Sequence, residues 1–334
     1  MDVTIKDIAQ RAHVSVSTVS RVLNNKADVH EETKRRVQEI IEELGYSPNS
    51  IARGLVLQRT HTIGLLIPDI TNPFFPEVAR GVENRAKELG YSLIFCDSGN
   101  DMQSEKDAIA LFRSKQVDGI ILSLSLASQA ELFRLQSEQF PVVQIDRGIP
   151  ELRIPTVAVD NVLSAATATG YLIQLGHRRI AHITGDLGTK TGRDRLQGYR
   201  KALASAGIEP EESWIVEGAY DIESGAAGAT RLLFGPRRPT AIFAANDLIA
   251  MGVYQVALDG GLRIPDDLSV VGHDDIQIAG IVRPGLTTMS QPKYKLGQVG
   301  VELLIKEIDS GESTAEEIVL LTELVTRGSA APAG

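Results

Sequence analysis

Several apolar runs in this 334-residue chain break off into short clusters of groups able to grip a small polar molecule. Ile67 is followed by Pro68-Asp69 and then Asn72-Pro73-Phe74-Phe75, Ile145 by Asp146-Arg147, and Val159 by Asp160-Asn161. Ile183 leads through Thr184-Gly185-Asp186 towards Arg195, Ala245 leads to Asn246-Asp247, and Val271 to Gly272-His273-Asp274-Asp275. Carboxylates and amides are planar acceptors that can take two hydroxyl donors at once. Phe74 and Tyr220 add faces on which a ring can stack. Together these groups suit a polyhydroxylated ring. Asp and Asn in such places also cap helices. That plainer role fits Asp160, Asp247 and Asp275, whereas Asp274 weighs towards ligand contact.

A second constellation lies near the start. Val16, Ser17, Ser20 and Arg21 share the outward face of a helix expected from a Ser15 cap to about Asn24. An apolar group can meet a thymine methyl, small hydroxyls fit between base edges, and an Arg can fork onto guanine O6 and N7. That mixture is what a DNA major groove accepts. A three-helix bundle with a merely solvated polar face would show the same periodicity.

The elements that must position these groups follow from the hydrophobic pattern. Ile5, Ile8, Ala9 and Ala12 predict a helix over 5–12, broken at His13-Val14. Val37, Ile40, Ile41 and Leu44 predict a helix over about 31–44, with Gly45 as its stop. Three short helices with a tight turn between the first two form a helix-turn-helix, expected over residues 1–47. Residues 48–60 read as a linker, where Pro48 and Asn49 open a segment too short and too Gly-interrupted to be a stable helix alone. From residue 61, strand-like runs at 63–67, 93–95, 119–122, 142–145, 157–159, 180–183, 215–216, 241–244 and 269–271 alternate with helical stretches. Such alternation predicts an α/β body of two doubly wound parallel-sheet lobes, with ligands beyond the carboxyl ends of the strands. The fold class is thus an all-α head joined to an α/β body.

Bulk properties agree. The net charge of −9 at first argues against nucleic acid, but residues 1–60 hold nine Lys/Arg against eight Asp/Glu, so the acid sits in the body. A single cysteine, Cys96, excludes an intramolecular disulfide and a cysteine-built metal site. The opening Met-Asp-Val-Thr-Ile-Lys-Asp carries no export-signal pattern, and no run of about 18 apolar residues occurs. A cytoplasmic protein with no membrane partner is expected.

The run from Ile5 to Asn24, with Gly45-Tyr46-Ser47-Pro48-Asn49 after it, resembles the head of the lactose-repressor (LacI/GalR) family. The resemblance extends over the body through Asp69–Phe74, Gly176–Ile180, Ala245–Asp247, Val271–Asp275 and Arg283–Thr288. It implies lobes of periplasmic-binding-protein type and base reading by Val16, Ser17 and Arg21. Thr4, Ser15, Thr18, Ser20 and Asn24 would contact phosphate or brace the helix. Asn49, Ala52, Arg53 and Leu55 would belong to a hinge helix that orders on DNA, with Leu55 wedged at the central base step. The implied effector contacts are Asp69, Phe74, Asp146, Thr191, Arg195, Tyr220, Asn246 and Asp274. The chain would cross between lobes so that 61–160 and 288–317 form one and 161–287 and 318–330 the other. Two positions depart from the family pattern: His30 replaces a Ser/Thr cap, and His273 stands where Phe or Tyr is commoner. His177 reads as structural.

An enzyme is the main rival. The stretch Gly185–Thr191 superficially suggests a phosphate loop, but Ile183 stands where its first glycine belongs and Thr189 separates Gly188 from Lys190. A carboxylate pair for glycoside cleavage would leave the head unexplained. An exported solute-binding protein would share the body but not the head. The expected function is therefore a sequence-specific transcriptional regulator, most simply a repressor, with no catalytic residues, cofactor or metal. Its expected partners are palindromic double-stranded operator DNA, a small-molecule effector such as a sugar, and a second copy of itself as a homodimer. The tail Ser-Ala-Ala-Pro-Ala-Gly has no heptad repeat, so no tetramerisation is expected.

Overall fold

The computed structural model describes residues 3–23, 28–45, 59–123, 129–148 and 152–334, and divides into a unit of residues 1–60 and a unit of residues 61–334. The first unit holds α1 (Ile5–Arg11), α2 (Val16–Leu23) and α3 (Glu31–Glu43). Ile8, Ala9, Ala12, Val19, Val22 and Val37 close its core. The Thr4 backbone N–H and hydroxyl both donate to Asp7 Oδ2, at 2.8 and 2.7 Å, fixing the start of α1. His13 takes the turn between α1 and α2 at φ 53°. Ser15 Oγ accepts the Thr18 N–H at 3.1 Å, a cap on α2 of about 1 kcal/mol. His30 gives α3 no side-chain cap, and Glu31 and Glu32 in the first turn complement its positive end instead.

The second unit begins with β1 (Thr62–Ile67), α4 (Phe74–Glu88), β2 (Ser92–Asp97), α5 (Met102–Ser114), β3 (Gly119–Leu122), α6 (Gln129–Ser137), β4 (Val142–Ile145) and β5 (Thr156–Val159). It continues through α7 (Asn161–Gln174), β6 (Ile180–Thr184), α8 (Lys190–Ser205), β7 (Ile215–Glu217), α9 (Ile222–Leu233), β8 (Ala241–Ala244) and α10 (Asp247–Asp259). It ends with β9 (Ser269–Asp274), α11 (Gln277–Ile281), β10 (Thr287–Ser290), α12 (Lys293–Ser310), β11 (Glu317–Leu320) and β12 (Glu323–Val325). Two six-stranded sheets result, ordered β11-β5-β4-β3-β1-β2 and β12-β10-β9-β8-β6-β7. Both are parallel apart from β12, which runs antiparallel to β10. Helices cover both faces of each, as parallel sheets require. In the first lobe, α4 and α12 bury Val78, Val82, Leu296 and Leu304, while α5 and α6 bury Ile109, Phe112, Leu132 and Leu135. In the second, α9 and α10 pack on one face and α7 and α8 on the other.

Three strands lie beyond those expected from the sequence. β10 is Thr-Thr-Met-Ser, whose buried hydroxyls hide its strand character, and β11 and β12 are short, half-exposed edge strands. They also shift the lobe boundaries. Thr287–Ser290 belongs to the second sheet and Glu317–Leu320 to the first, so the late crossings fall a few residues beyond the expected 288 and 318. The chain thus passes between lobes at Asp160, around Gln291-Pro292, and between Leu320 and Glu323.

Candidate functional site

Where the carboxyl ends of the two sheets face each other, ten residues converge: Asn72, Phe74, Phe75, Asp146, Arg147, Thr191, Arg195, Tyr220, Asp274 and Gln291. The first lobe supplies Asn72 and the two Phe rings from the start of α4, and Asp146-Arg147 from the end of β4. The second supplies Thr191 and Arg195 from the first turns of α8, Tyr220 from the loop after β7, and Asp274 from the end of β9. Phe74 and Phe75 meet edge to face at 5.0 Å. Gly185 makes room for Tyr220, because a Cβ there would fall 1.9 Å from its ring. Asp146, Tyr220 and Asp274 all hold positive φ, at 60°, 65° and 109°. Non-glycine residues adopt that region only when their surroundings over-determine it, and such strain gathers at binding sites.

Charge in the cleft is arranged as two opposed pairs. Arg195 is 2% exposed; its Nε donates to Asn161 Oδ1 at 2.8 Å and its Nη1 to the Ala245 carbonyl at 2.5 Å, with Nη2 3.8 Å from Asp274 Oδ1. Asp274 Oδ1 accepts from Gln291 Nε2 at 2.7 Å and lies 3.1 Å from His273 Nδ1. Burial opposes ionisation of Asp274, but the His273 hydrogen bond and the Arg195 charge outweigh it and hold the carboxyl below its usual range. Asp146 has weaker support. Burial pushes its carboxyl up to about 6, against Arg147 and Arg195. The Arg147 guanidinium spans the gap, 5.9 Å from the Phe75 centroid and 5.5 Å from that of Tyr220, with Nη1 donating to Asn100 Oδ1 at 3.1 Å. The space left among these ten residues is about 20 Å³, on the order of one water, beside a cavity of about 470 Å³ that shares Asp146 and Thr191 with it. A ring-sized ligand therefore enters by displacing Arg147 or by parting the lobes. Two buried oxygens, Thr191 Oγ1 and Gln291 Oε1, have no hydrogen-bond partner among the described residues and could accept hydroxyl donors from such a ligand.

Of the effector contacts expected, Phe74, Asp146, Thr191, Arg195, Tyr220 and Asp274 line this space. Asp69 and Asn246 do not. Asp69 Oδ1 accepts from the Thr71 N–H and hydroxyl within its own loop, at 2.8 and 2.6 Å. Asn246 caps α10 through the Ile249 N–H and donates to the Tyr220 carbonyl at 3.0 Å, so it supports the ring without facing the cavity. Asp160 is the cap expected of it, accepting from the Leu163 N–H. Asp247 and Asp275 are not caps. Asp247 Oδ2 accepts the Ile276 N–H and Oδ1 the Thr288 hydroxyl, tying α10 to both sides of the β9–β10 connection; a Cβ on Gly272 would collide with it. Asp275 pairs with Arg327 at 2.7 Å. His177 bonds Thr240, Ser269 and the Ala331 carbonyl, a structural junction. Phe75, Arg147, Asn72 and Gln291 also line the space; the sequence places the first three in its ligand-gripping clusters but outside the implied effector contacts, and Gln291 alone went unnoticed. The first three adjoin residues already singled out, and opposite-facing neighbours at a strand or helix end were the available signal.

On the first unit, Val16 is 41% exposed, with Ser17 and Arg21 exposed beside it and Ser20 half-buried. Ser15 Oγ also bonds the Ser17 and Thr18 hydroxyls, at 2.7 and 2.8 Å, bracing the start of α2. Arg21 pairs with Asp28 at 3.2 Å across an exposed surface, worth well under about 1 kcal/mol and readily exchanged for another acceptor. Asn24, Asn49, Ala52, Arg53 and Leu55 lie outside the described residues. No described helix is long and apolar enough to cross a membrane.

Comparison with known proteins places both units. Residues 4–49 match the profile for bacterial regulatory proteins of the lacI family, and residues 60–325 that for periplasmic binding proteins and the sugar binding domain of the LacI family. The chain is 41% identical over 330 residues to the HTH-type transcriptional repressor PurR of Edwardsiella ictaluri, covering 98% of this chain and 97% of that one. It is 40% identical over 327 residues to the ribose operon repressor of Haemophilus influenzae, covering 98% of each. Among solved structures, the lac repressor dimer bound to operator and the anti-inducer ONPF superposes with a TM-score of 0.90 at 28% identity, covering 99% of this chain and 100% of that one. These relatives are DNA-binding regulators, not enzymes. With a helix-turn-helix at one end and an effector-type cleft between two parallel-sheet lobes, the chain belongs to the LacI family of bacterial transcriptional regulators.

Proposed function

We propose that this regulator is a cytoplasmic repressor controlled by a neutral sugar, with the pentoses as the first class to test. The observation that carries the reading is the balance of the cleft. Both arginines already face a carboxylate, which leaves no unmatched positive charge for a phosphate among the described lining residues, where Thr191 Oγ1 and Gln291 Oε1 lack a partner and suit hydroxyl donors. Phe75 and Tyr220 offer the faces for a ring. The relation to a ribose operon repressor makes D-ribose the natural first probe. Val16, Ser17 and Arg21 would read bases, with Thr4, Ser15, Thr18 and Ser20 on the phosphates or supporting α2. Asn24, Asn49, Ala52, Arg53 and Leu55 complete the DNA contacts in this reading. Two copies would read a palindrome, and sugar in the cleft would set the angle between lobes and hence the affinity for operator.

The test is thermal unfolding of the purified protein against sugars, sugar phosphates and nucleobases, followed by operator binding with any hit. A ligand at one hundred times its Kd adds about 2.7 kcal/mol and raises Tm measurably. A shift with D-ribose or another free sugar, with changed operator affinity, supports the reading. A shift confined to phosphorylated sugars or nucleobases overturns the neutral-sugar assignment.

A further inference from the structure

His273 departs from the aromatic residue expected at its position, and the structure gives it a definite set of partners. It is fully buried on β9; Nδ1 lies 3.1 Å from Asp274 Oδ1 and Nε2 lies 2.7 Å from Ser164 Oγ on α7. A carboxylate held ionised can only accept, so Nδ1 carries the proton and Nε2 accepts from the Ser164 hydroxyl. Gln291 Nε2 is 3.5 Å from Nδ1, but it is committed to Asp274 at 2.7 Å. The arrangement has the order of a hydrolytic Ser-His-Asp triad, yet Ser164 is 0% exposed and no substrate can reach it. Its role must therefore lie in holding something.

What it holds is visible on α7. That helix leaves the first lobe at Asp160, and its first turn carries both Asn161, which fixes the Arg195 guanidinium, and Ser164, which fixes His273. Both charged groups that the second lobe brings to the cleft are thus braced from one turn of one helix, at the point where the chain crosses between lobes. We infer that His273 is a positioning residue: with Ser164 it fixes Asp274 as an effector acceptor and couples that contact to the inter-lobe crossing at the start of α7. This rests on the reading of the cleft as an effector site. The buried ring stays neutral, its pKa lowered to about 4 first by burial and then by Arg195. The other charged groups around the pair are Lys293 on α12, Asp247 on α10, Asp146 at the end of β4 and Asp275 beside Asp274.

Two measurements on the full chain test this, one of which needs no ligand. Nitrogen-15 NMR of labelled histidines, with the His273 signal assigned by its loss in His273→Phe, should show a neutral ring protonated at Nδ1 down to about pH 5. Carbon-13 titration of Asp274 should move to higher pH in His273→Phe. A proton on Nε2, or an unmoved Asp274, overturns the relay whatever ligand binds. In the second measurement, D-ribose affinity should fall roughly ten-fold in His273→Phe and less in Ser164→Ala. Ser164→Ala should add no further loss in the His273→Phe background, and His273→Asn, which keeps a donor towards Asp274, should recover part of the affinity. Independent, additive losses would overturn the coupling through Ser164. Should His273→Phe fold poorly, Ser164→Ala and His273→Asn carry the same comparison. Wild-type protein that ignores D-ribose would count against the proposed ligand, while the histidine and carboxylate spectra would still decide the relay.

Discussion

The two lobes bring the same chemistry to the cleft, one Asp and one Arg each, and treat it in opposite ways. In the second lobe Asp274 and Arg195 sit in a closed hydrogen-bond network with Asn161, His273, Gln291 and the Ala245 carbonyl, and Asp274 stays ionised. In the first lobe Asp146 is buried with its nearest Arg147 nitrogen 3.9 Å away, and its carboxyl is pushed up to about 6. Arg147 itself rests on two aromatic faces and one side-chain amide. The difference teaches that composition does not set the behaviour of a charged pair; the number of fixed partners does. In these terms the second lobe's pair is a preorganised platform, and the first lobe's, with fewer fixed partners, is the looser jaw facing it.

The largest test of that contrast is Asp274→Ala. Removing the platform's acceptor leaves Arg195 buried without its counter-charge, so D-ribose affinity should fall about 100-fold and stability by about 3 kcal/mol. Calorimetric titration and denaturant unfolding would show both. Arg147→Ala should cost less, about ten-fold in affinity with Tm nearly unchanged, because cation–π contacts are modest and the side chain must move for a ligand to enter. If Arg147→Ala costs more than Asp274→Ala, the assignment of platform and jaw is reversed. The smallest effect is a pH signature. A carboxyl whose pKa is raised on folding contributes stability below about pH 4 that is lost as pH rises through about 6. Asp146→Asn should therefore raise Tm by roughly 2–6 °C at pH 7.5 and leave it almost unchanged at pH 4. A variant less stable than wild type at pH 7.5 would show Asp146 to be better paired than its geometry allows.

Much of this architecture was legible in the residues because local patterns carried it. The three head helices announce themselves through Ile8, Val19 and Val37 at helical spacing, and nine strands through continuous apolar runs. What stayed hidden depends on distant partners. Asp247 looks like any residue at the start of a helix until Thr288 and Ile276 arrive from 29 to 41 residues away. Asp275 meets Arg327 across 52 residues, and Gln291 reaches the cleft from a crossing that follows no recognisable strand. Edge strands such as Glu317–Leu320 take their identity from the neighbour they join, so their own half-polar sequence gives little sign of it.

The closing strands bear on how this protein is made. Each sheet is completed by a piece from the end of the chain, Glu317–Leu320 in the first lobe and Glu323–Val325 in the second. A ribosome can release the 60-residue head to fold early, but it must deliver 320 residues before the first lobe has all its strands and 325 before the second. The two lobes are therefore completed within a few residues of each other. A chain cut short just before Glu317 would leave two unfinished sheets, each with an open edge for the quality-control machinery to find.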